Sequence, residues 1–303
     1  MAGTPQPVVN GMSVDVEDYY HVSAFEGVVS RDHWDRMESR VEANTEKLLA
    51  LFDEFSVRST FFVLGWVAAK YPALVARIAA GGHEIASHGF AHRLIYEHST
   101  DVFREDLRRA RGVIGDACGQ RVTGYRAPSY SITARSIWAL DVLIEEGYTY
   151  DSSIFPIRHD RYGIPASPRH PYRLTRPAGT IVEAPASTVR RGGVNLPIAG
   201  GGYFRLLPYG WTRWGIAQLN AREDRPAIFY IHPWEVDPAQ PRLAGSRLSR
   251  FRHYRHLDRT EDRLRRLLTD FKFSSIRDVL TTRPIDEVSP AWAAPISQRA
   301  ARV

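Results

Sequence analysis

The stretch "GMSVDVEDYYHV", residues 11–22, places three carboxylates directly after a short run of strand-forming residues. Because side chains alternate along a strand, Asp15 and Glu17 are expected on the same side of it. Two carboxylates that share a site repel each other, and a bound divalent cation relieves that repulsion. Asp18 is interpreted as a helix cap or a reserve ligand. The stretch therefore predicts a strand that ends in a functional site.

Outward from this strand, strand-like and helix-like runs alternate along the first half of the chain. The predicted strands lie at residues 13–16, 59–65, 83–87 and 122–128, and the predicted helices at 45–55, 66–82, 99–119 and 133–147. This alternation is typical of an α/β fold, with a parallel sheet or barrel and helices outside it. In such folds the chemistry gathers at the carboxyl ends of the strands.

The pattern changes after about residue 150. The sequence predicts a long surface loop at 152–176, strands at 180–187 and 227–234, a helix at 259–271 and a peripheral tail at 283–303. Strands and helices no longer alternate regularly in this part of the chain. We therefore expect a C-terminal extension that does not continue the α/β pattern.

Composition narrows the class of protein. The chain has 303 residues, a net charge of +6 and a single cysteine, Cys118, so no disulfide can form within it. Its arginines are interleaved with acids and accompany no nucleic-acid-binding motif, which predicts no nucleic-acid partner. The N-terminus lacks the basic and apolar segments of a secretory signal, and no apolar run approaches about 18 residues. These features predict a cytoplasmic location.

Polar side chains follow five separate predicted strands. Besides the acids of the first strand, they are His88 and His92, Arg126, Asp151, and His232. The spacing of the two histidines allows both imidazoles to reach one ion, and a carboxylate would complete a set with open positions. Three alternatives stay open at this point. The histidines could be exposed loop residues, Arg126 a surface ion-pair partner, and His232 a buried histidine bonded to backbone.

Five motifs in order carry a resemblance to a known family. They are "SVDVED" (13–18), "HGFAH" (88–92), "RAPSY" (126–130), "YDSSIFP" (150–156) and "YIHPW" (230–234). The sequence over about residues 10–235 resembles the NodB-type polysaccharide deacetylases, carbohydrate esterase family 4, with Gly89 in place of the usual Ser or Thr. The stretch at 251–280 resembles the subgroup encoded with exosortase and exopolysaccharide loci.

The resemblance implies a fold and a reaction. The fold is a distorted (β/α)7-type barrel over residues 10–235, with residues 236–303 as a C-terminal extension packed on it. The reaction is removal of N-acetyl groups from amino-sugar polymers. By position, the resemblance implies Asp15 as general base, Arg126 as its orienting partner, His232 as general acid, Asp151 as a tuning residue, His88 and His92 as metal ligands, and the Ser129 backbone N–H as oxyanion donor.

One departure from the family pattern concerns the metal. Much of the family has adjacent aspartates, base then ligand, whereas Val16 stands in the second place here. The nearest substitute ligand is Glu17, with Asp18 as the fallback. The resemblance implies a divalent metal, and two histidines with a carboxylate favour zinc among several candidates.

The substrate is left open between three interpretations. Tyr130 and Trp234 near the site favour a sugar as substrate. The sugar is either an amino-sugar polysaccharide or a lipid-linked oligosaccharide. The lipid-linked substrate would imply peripheral association of the protein at the inner membrane face. An allantoinase-like hydrolase of small amides uses the same site chemistry. A catalytically silent carbohydrate-binding protein is the third interpretation, kept by the altered first motif. The sequence does not indicate an oligomeric state.

Overall fold

The computed structural model describes residues 7–293 as a mixed α/β fold. Its strands are β1 (Val9–Val16), β2 (Thr60–Val63), β3 (Glu84–Ser87), β4 (Gly124–Tyr125), β5 (Tyr150–Asp151), β6 (Tyr172–Arg176), β7 (Gly179–Glu183), β8 (Thr188–Arg191), β9 (Val194–Pro197), β10 (Ile228–Ile231), β11 (Lys272–Ser274) and β12 (Asp286–Val288). Its helices are α1 (Val41–Glu54), α2 (Gly65–Lys70), α3 (Pro72–Ala80), α4 (Thr100–Cys118), α5 (Ala139–Glu145), α6 (Gly201–Leu206), α7 (Tyr209–Arg222), α8 (Arg247–Tyr254), α9 (Thr260–Asp270) and α10 (Ile276–Thr281).

The main sheet is mostly parallel and curves back toward itself. Its ten strands include the path β10-β1-β2-β3-β4-β5-β7, in which every neighbouring pair is parallel. The two ends of this path meet through Ser187, which follows β7. Its backbone N–H donates to the Ile228 carbonyl at 3.3 Å, and its hydroxyl accepts the Ile228 N–H at 2.7 Å. The predicted α/β class with a distorted barrel is therefore confirmed.

The first half of the chain follows the predicted alternation closely. Strands β2 and β3 are buried along their whole length, as expected for parallel strands covered on both faces. Helix α4 begins after Ser99, whose hydroxyl accepts the Val102 N–H, and ends at Gly119 in the left-handed conformation. Pro72 begins a new helix, as its missing N–H and fixed φ favour.

Two predictions about the elements were wrong in part. Residues 152–157 are buried and 172–176 form β6, so only the middle of the predicted surface loop is exposed. Its buried start carries the apolar Ile154 and Phe155, both 0% exposed. The helix predicted at 133–147 is shortened to α5, because the Ser136 hydroxyl bonds the Ser131 carbonyl at 2.8 Å and holds a turn there.

The C-terminal part of the chain packs on the sheet. Strand β11 pairs in parallel with the start of β1, and β12 pairs with β6, so part of the predicted tail belongs to the sheet. The rest of that tail, residues 294–303, lies outside the described residues. The domain boundary at 235/236 stays a prediction. Between residues 7 and 293, no helix combines the length and apolar character needed to cross a membrane.

A buried histidine makes the stability of this fold sensitive to pH. His83 lies 4.9 Å from the Phe61 ring and accepts the Ser59 N–H at 3.2 Å. Burial, aided by Arg58, lowers the pKa of His83 to about 4. Between that value and the ordinary pKa of about 6.5, the unfolded chain binds a proton that the folded chain does not. Stability therefore falls as the pH decreases through this window.

Replacing His83 by Asn is expected to remove this part of the pH dependence, because Asn keeps an acceptor but does not titrate. We expect the wild type to lose about 1 kcal/mol more unfolding free energy than His83→Asn between pH 7 and pH 4.5, a reduced share of the full linkage effect. Urea unfolding at both pH values measures the difference. Equal losses in the two proteins would contradict the assignment.

Candidate active site

The carboxyl ends of the parallel strands open into a cleft of about 350 Å³. The predicted site residues that line it are Asp15, Glu17, His88, His92, Ser129, Tyr130, His232 and Trp234. They come from the ends of β10, β1, β3 and β4, which follow one another in the sheet with only β2 between β1 and β3. The order of the parallel strands thus brings together residues as far apart in the chain as Glu17 and Trp234, which are separated by 217 positions.

Two histidines and one carboxylate form a compact group of metal-ligand type. One ligand atom from each of Glu17, His88 and His92 lies within 4.8 Å of the other two. The His88 Nδ1 lies 2.8 Å from the Arg126 carbonyl oxygen, which can only accept a hydrogen bond. Nδ1 therefore carries the proton, and the Nε2 lone pair is left for a ligand. Burial lowers the pKa of His88 to about 4, which keeps the ring neutral.

Glu17 is held with one oxygen free. The Trp234 Nε1–H donates to Oε1 at 3.3 Å. Oε2 lies 2.7 Å from the His92 Nε2, yet within residues 7–293 no donor is aligned with it for a hydrogen bond. Burial alone would raise the pKa of Glu17, but His92, His232 and His88 outweigh it and hold the pKa below its usual range. A buried carboxylate oxygen beside two imidazoles fits a divalent cation.

Asp18 does not belong to this group. Its Oδ2 accepts the Ser39 hydroxyl at 2.9 Å and the backbone N–H groups of Arg40 and Val41 at 2.7 and 3.0 Å, and its Oδ1 accepts the Tyr19 N–H at 2.9 Å. Its carboxylate thus satisfies orphan donors at the start of α1. The structure assigns Asp18 to capping and leaves it no part in metal binding.

Asp15 is fixed by a fully buried arginine. The Arg126 Nη1 donates to Asp15 Oδ1 at 2.6 Å and to the Ser13 hydroxyl at 2.9 Å. The rest of the guanidinium donates to the Ser152 carbonyl at 3.1 Å and the Ser152 hydroxyl at 2.8 Å. Arg126 is 0% exposed, so the surface ion-pair alternative is excluded. An arginine held at this many points fixes both the charge and the orientation of Asp15.

His232 faces both carboxylates of the first strand. Its Nε2 lies 3.8 Å from Asp15 Oδ2 and 3.7 Å from Glu17 Oε1. On the other side of the ring, Nδ1 lies 3.4 Å from Glu235 Oε2. Burial would lower the pKa of His232, but Glu235 and the two site carboxylates raise it to about 9. The carboxylates on both sides of the ring therefore favour its protonated form.

Two residues behind His232 were missed in the sequence. Glu235 accepts the Arg205 Nε–H at 2.8 Å, and Arg205 donates in turn to the carbonyls of His253 and Arg255 at 2.8 and 3.0 Å. Glu235 and Arg205 are 1% and 2% exposed. The glutamate three residues after His232 in "HPWE" was a usable signal, since that spacing suits a capping contact. Nothing in the sequence around Arg205 indicated its partner.

The segment after Arg126 takes a strained conformation at the cleft. Ser129 and Tyr130 have φ values of 53° and 54°, a left-handed region that residues other than glycine rarely adopt. Such strain persists where the surrounding structure enforces it and is found at functional sites. The Ser129 hydroxyl lies 2.9 Å from that of Ser23. Tyr130 packs against Tyr230 with ring centroids 5.1 Å apart.

Asp151 does not line the cleft, and its tuning role stays a prediction. It faces Glu183 across the β5–β7 pairing and is bonded to the Ser153 hydroxyl. Burial raises the pKa of Asp151 to about 6 and that of Glu183 well above its usual range, since two adjacent buried carboxyls cannot both ionise. Ser153 accepts the Ala127 N–H at 2.7 Å. Asp151 therefore braces the segment next to Arg126, and Glu235 is the carboxylate beside His232.

Comparison with known proteins agrees with this geometry. Residues 32–150 match the family model "Polysaccharide deacetylase". The resemblance to this family is therefore confirmed over these residues. Residues 152–281 match a second model, a domain of unknown function designated DUF3473. His232 lies within that second match, whereas Asp15 and Glu17 precede both, so the cleft combines residues from all three parts.

Two curated relatives each match about a third of the chain. A peptidoglycan-N-acetylglucosamine deacetylase of Bacillus cereus is 30% identical over 98 residues, which cover 32% of this chain and 36% of that protein. A chitooligosaccharide deacetylase of a Bradyrhizobium species is 30% identical over 99 residues, covering 33% of this chain and 43% of that protein. The match thus spans less than half of each relative's length.

A solved structure shows the same fold over nearly the whole chain. It is the crystal structure of a Mycobacterium smegmatis protein assigned to the polysaccharide deacetylases. The two share 22% sequence identity with a TM-score of 0.57, and the match covers 96% of this chain and 98% of that one. At this identity the likeness concerns the fold alone.

Proposed function

We propose that this protein removes N-acetyl groups from an amino-sugar polysaccharide or lipid-linked oligosaccharide by metal-assisted amide hydrolysis. One observation carries the proposal. The metal-ligand group of Glu17, His88 and His92 lies beside His232, whose Nε2 is within 4 Å of both Glu17 and the arginine-held Asp15. Amide hydrolysis needs a base for water and an acid for the leaving amine, and this cleft offers one of each.

The metal is assigned by the chemistry of the donor set. Two imidazoles and one carboxylate, with room left for further ligands, are typical of catalytic zinc sites in hydrolases. A divalent ion held there would polarise the acetamide carbonyl and lower the pKa of water to about 7. Val16, the last residue of β1, is buried and has no atom that can bind a metal. Glu17 therefore takes the place of the second aspartate.

The residues on either side of that group act on protons. Asp15 takes a proton from the attacking water, and Arg126 keeps its carboxylate aligned. As the tetrahedral oxyanion forms, the Ser129 backbone N–H donates to it. His232 then gives its proton to the departing nitrogen, so that an amine leaves and acetate stays behind. Glu235 positions His232 through its Nδ1 side, and Arg205 positions Glu235.

The relatives support an amino-sugar substrate. Those matched act, by their names, on peptidoglycan N-acetylglucosamine or on chitooligosaccharides. Tyr130 and Trp234 give the cleft aromatic walls that suit a sugar ring. We also propose a cytoplasmic location at the inner membrane face. Loss of the protein from membranes washed at low salt would count against that location.

Acetate release tests the proposal. We expect the zinc-loaded protein to release acetate from N-acetylated chitohexaose and to leave allantoin intact. Allantoin turnover without acetate release would favour the allantoinase-like alternative. Neither activity, together with carbohydrate binding, would favour the silent binding protein.

A further inference from the structure

A second cavity, of about 580 Å³, lies beside the active-site cleft and shares a wall with it. The wall is the segment 159–162, which lines both spaces. We call the second space the distal cavity; its side chains include Tyr96, Arg135, Trp138 and Arg161. It is as large as sites that hold small organic ligands, which range from about 300 to 1,000 Å³.

The shared wall is built into the fold. The His159 ring stacks on Tyr162 at 3.9 Å with an interplanar angle of 14°, and Tyr162 stacks on Phe155 at 5.9 Å and 8°. The base of the loop is closed by the Ile164 N–H, which donates to the Phe155 carbonyl at 2.9 Å. Gly163 makes the turn at φ 99°, where any Cβ would collide with the Ile157 carbonyl. The two cavities are therefore adjoining compartments with a fixed partition.

Aromatic rings line the distal cavity. Tyr96 is 40% exposed, an unusual exposure for a large ring in this fold. Trp138 is partly buried, with its ring edge-on to Phe103 at 5.8 Å. Aromatic faces pack well against the apolar C–H faces of sugar rings, while their polar edges stay hydrated. The distal cavity thus has the same type of lining as the aromatic side of the cleft.

Arginines supply the charge of the distal cavity. Arg135 and Arg161 are exposed, and neither is paired with an acid in the part of the chain that the structure describes. The one carboxylate in the lining, Asp160, lies 2.8 Å from His159 Nδ1. Arg252, on α8, carries a further positive charge to the neighbouring cleft. Unpaired guanidinium groups around a concave surface attract anions and bind carboxylate or phosphate in a bidentate manner.

We propose that the distal cavity binds another unit of the same saccharide chain, one that carries an anionic substituent, while the N-acetylated unit lies in the cleft. This inference rests on the proposed function and names its substrate class as an acidic amino-sugar oligosaccharide. The anion is a carboxylate or a phosphate, since both present the oxygen geometry that guanidinium groups recognise.

Kinetics with defined oligosaccharides test the inference. The substrates are N-acetylated chitobiose, neutral chitohexaose, and chitohexaose bearing either C6 carboxylates or C6 phosphates. We expect kcat/KM for one of the anionic hexamers to exceed that for the neutral hexamer by about tenfold, as charge-assisted hydrogen bonds allow. The preferred anion identifies the substituent.

The variant Arg135→Gln/Arg161→Gln is expected to lose this preference through a higher KM for the anionic hexamers. Arg135→Gln alone, which changes a side chain of the distal cavity that does not line the cleft, is expected to turn over chitobiose like the wild type. The matched control is Arg190→Gln/Arg191→Gln, which changes two exposed arginines on β8 that line neither cavity. Tyr96→Ala is expected to weaken all hexamers and spare chitobiose. An equal kcat/KM for neutral and anionic hexamers, or a preference that survives Arg135→Gln/Arg161→Gln, would overturn the inference.

Binding separates this inference from the proposed function. Calorimetric titration of the anionic hexamers into the wild type and into Arg135→Gln/Arg161→Gln measures their binding affinities without requiring turnover. We expect the double variant to bind about tenfold more weakly. Equal binding would overturn the inference, whereas weaker binding without acetate release from any compound would overturn the proposed function alone.

Discussion

Replacing Asp15 by Asn is expected to lower kcat for acetate release by about 10³-fold, the usual contribution of a general base. Asn has the same shape and keeps a contact with Arg126, but its amide cannot take a proton from water. KM and zinc content should change little, because Asp15 is outside the ligand group. Acetate assays at saturating chitohexaose, with zinc measured on the same sample, check the expectation.

Asp160→Asn is the matched control for this variant. Asp160 also lines the cleft, but it is exposed and pairs with His159 instead of Arg126, so its replacement should leave kcat within about twofold of the wild type, as is usual for surface changes. The loss of a buried charge beside Arg126 also lowers stability, so a thermal melt must show that Asp15→Asn is folded. A folded, zinc-loaded Asp15→Asn with near wild-type kcat would contradict the role of Asp15.

Replacing His88 by Ala is expected to weaken zinc binding by more than about 100-fold, since even the loss of a residue that only orients a ligand costs 10- to 100-fold. Two ligands would be left, which is too few for a stable site. Glu17→Gln should also weaken binding strongly, because the amide keeps the shape but loses the negative charge. Competition with a chromophoric chelator measures both affinities.

His159→Ala is the control for the metal variants, since it removes an imidazole that lines the same cleft outside the ligand group. Its zinc affinity should equal that of the wild type. If Glu17→Gln bound zinc as tightly as the wild type, another residue would have to supply the carboxylate ligand. The proposal that Glu17 replaces the missing second aspartate would then be wrong.

Much of this site could be predicted because parallel strands end at one edge. The sheet places its strands in the order β10, β1, β2, β3 and β4. Once this order is recognised, the polar residues at the strand ends must come close, whatever their separation in sequence. These residues are Asp15, His88, Arg126 and His232. The alternation of β1 also places Asp15 and Glu17 on one side. These features follow from local patterns that are written in a few residues each.

The rest depends on contacts that no local pattern encodes. Arg205 reaches Glu235 only because the C-terminal segment folds back to offer the carbonyls of His253 and Arg255. The sequence leaves Asp18 open as a metal ligand, because it does not show that the start of α1 donates hydrogen bonds to this carboxylate. Asp151 follows a strand as the other site residues do, but its side chain faces β7 instead of the cleft. The partition at 159–162 depends on ring stacking with Phe155, which a loop-like composition conceals.

The most direct test of metal-assisted deacetylation is acetate release from N-acetylated chitohexaose by the protein stripped of metal with a chelator and then reloaded with zinc. We expect no release by the stripped protein and full recovery on adding one equivalent of zinc. We expect no recovery for His88→Ala at that concentration. Release that is indifferent to chelation, or a zinc-loaded wild type that frees no acetate, would contradict it.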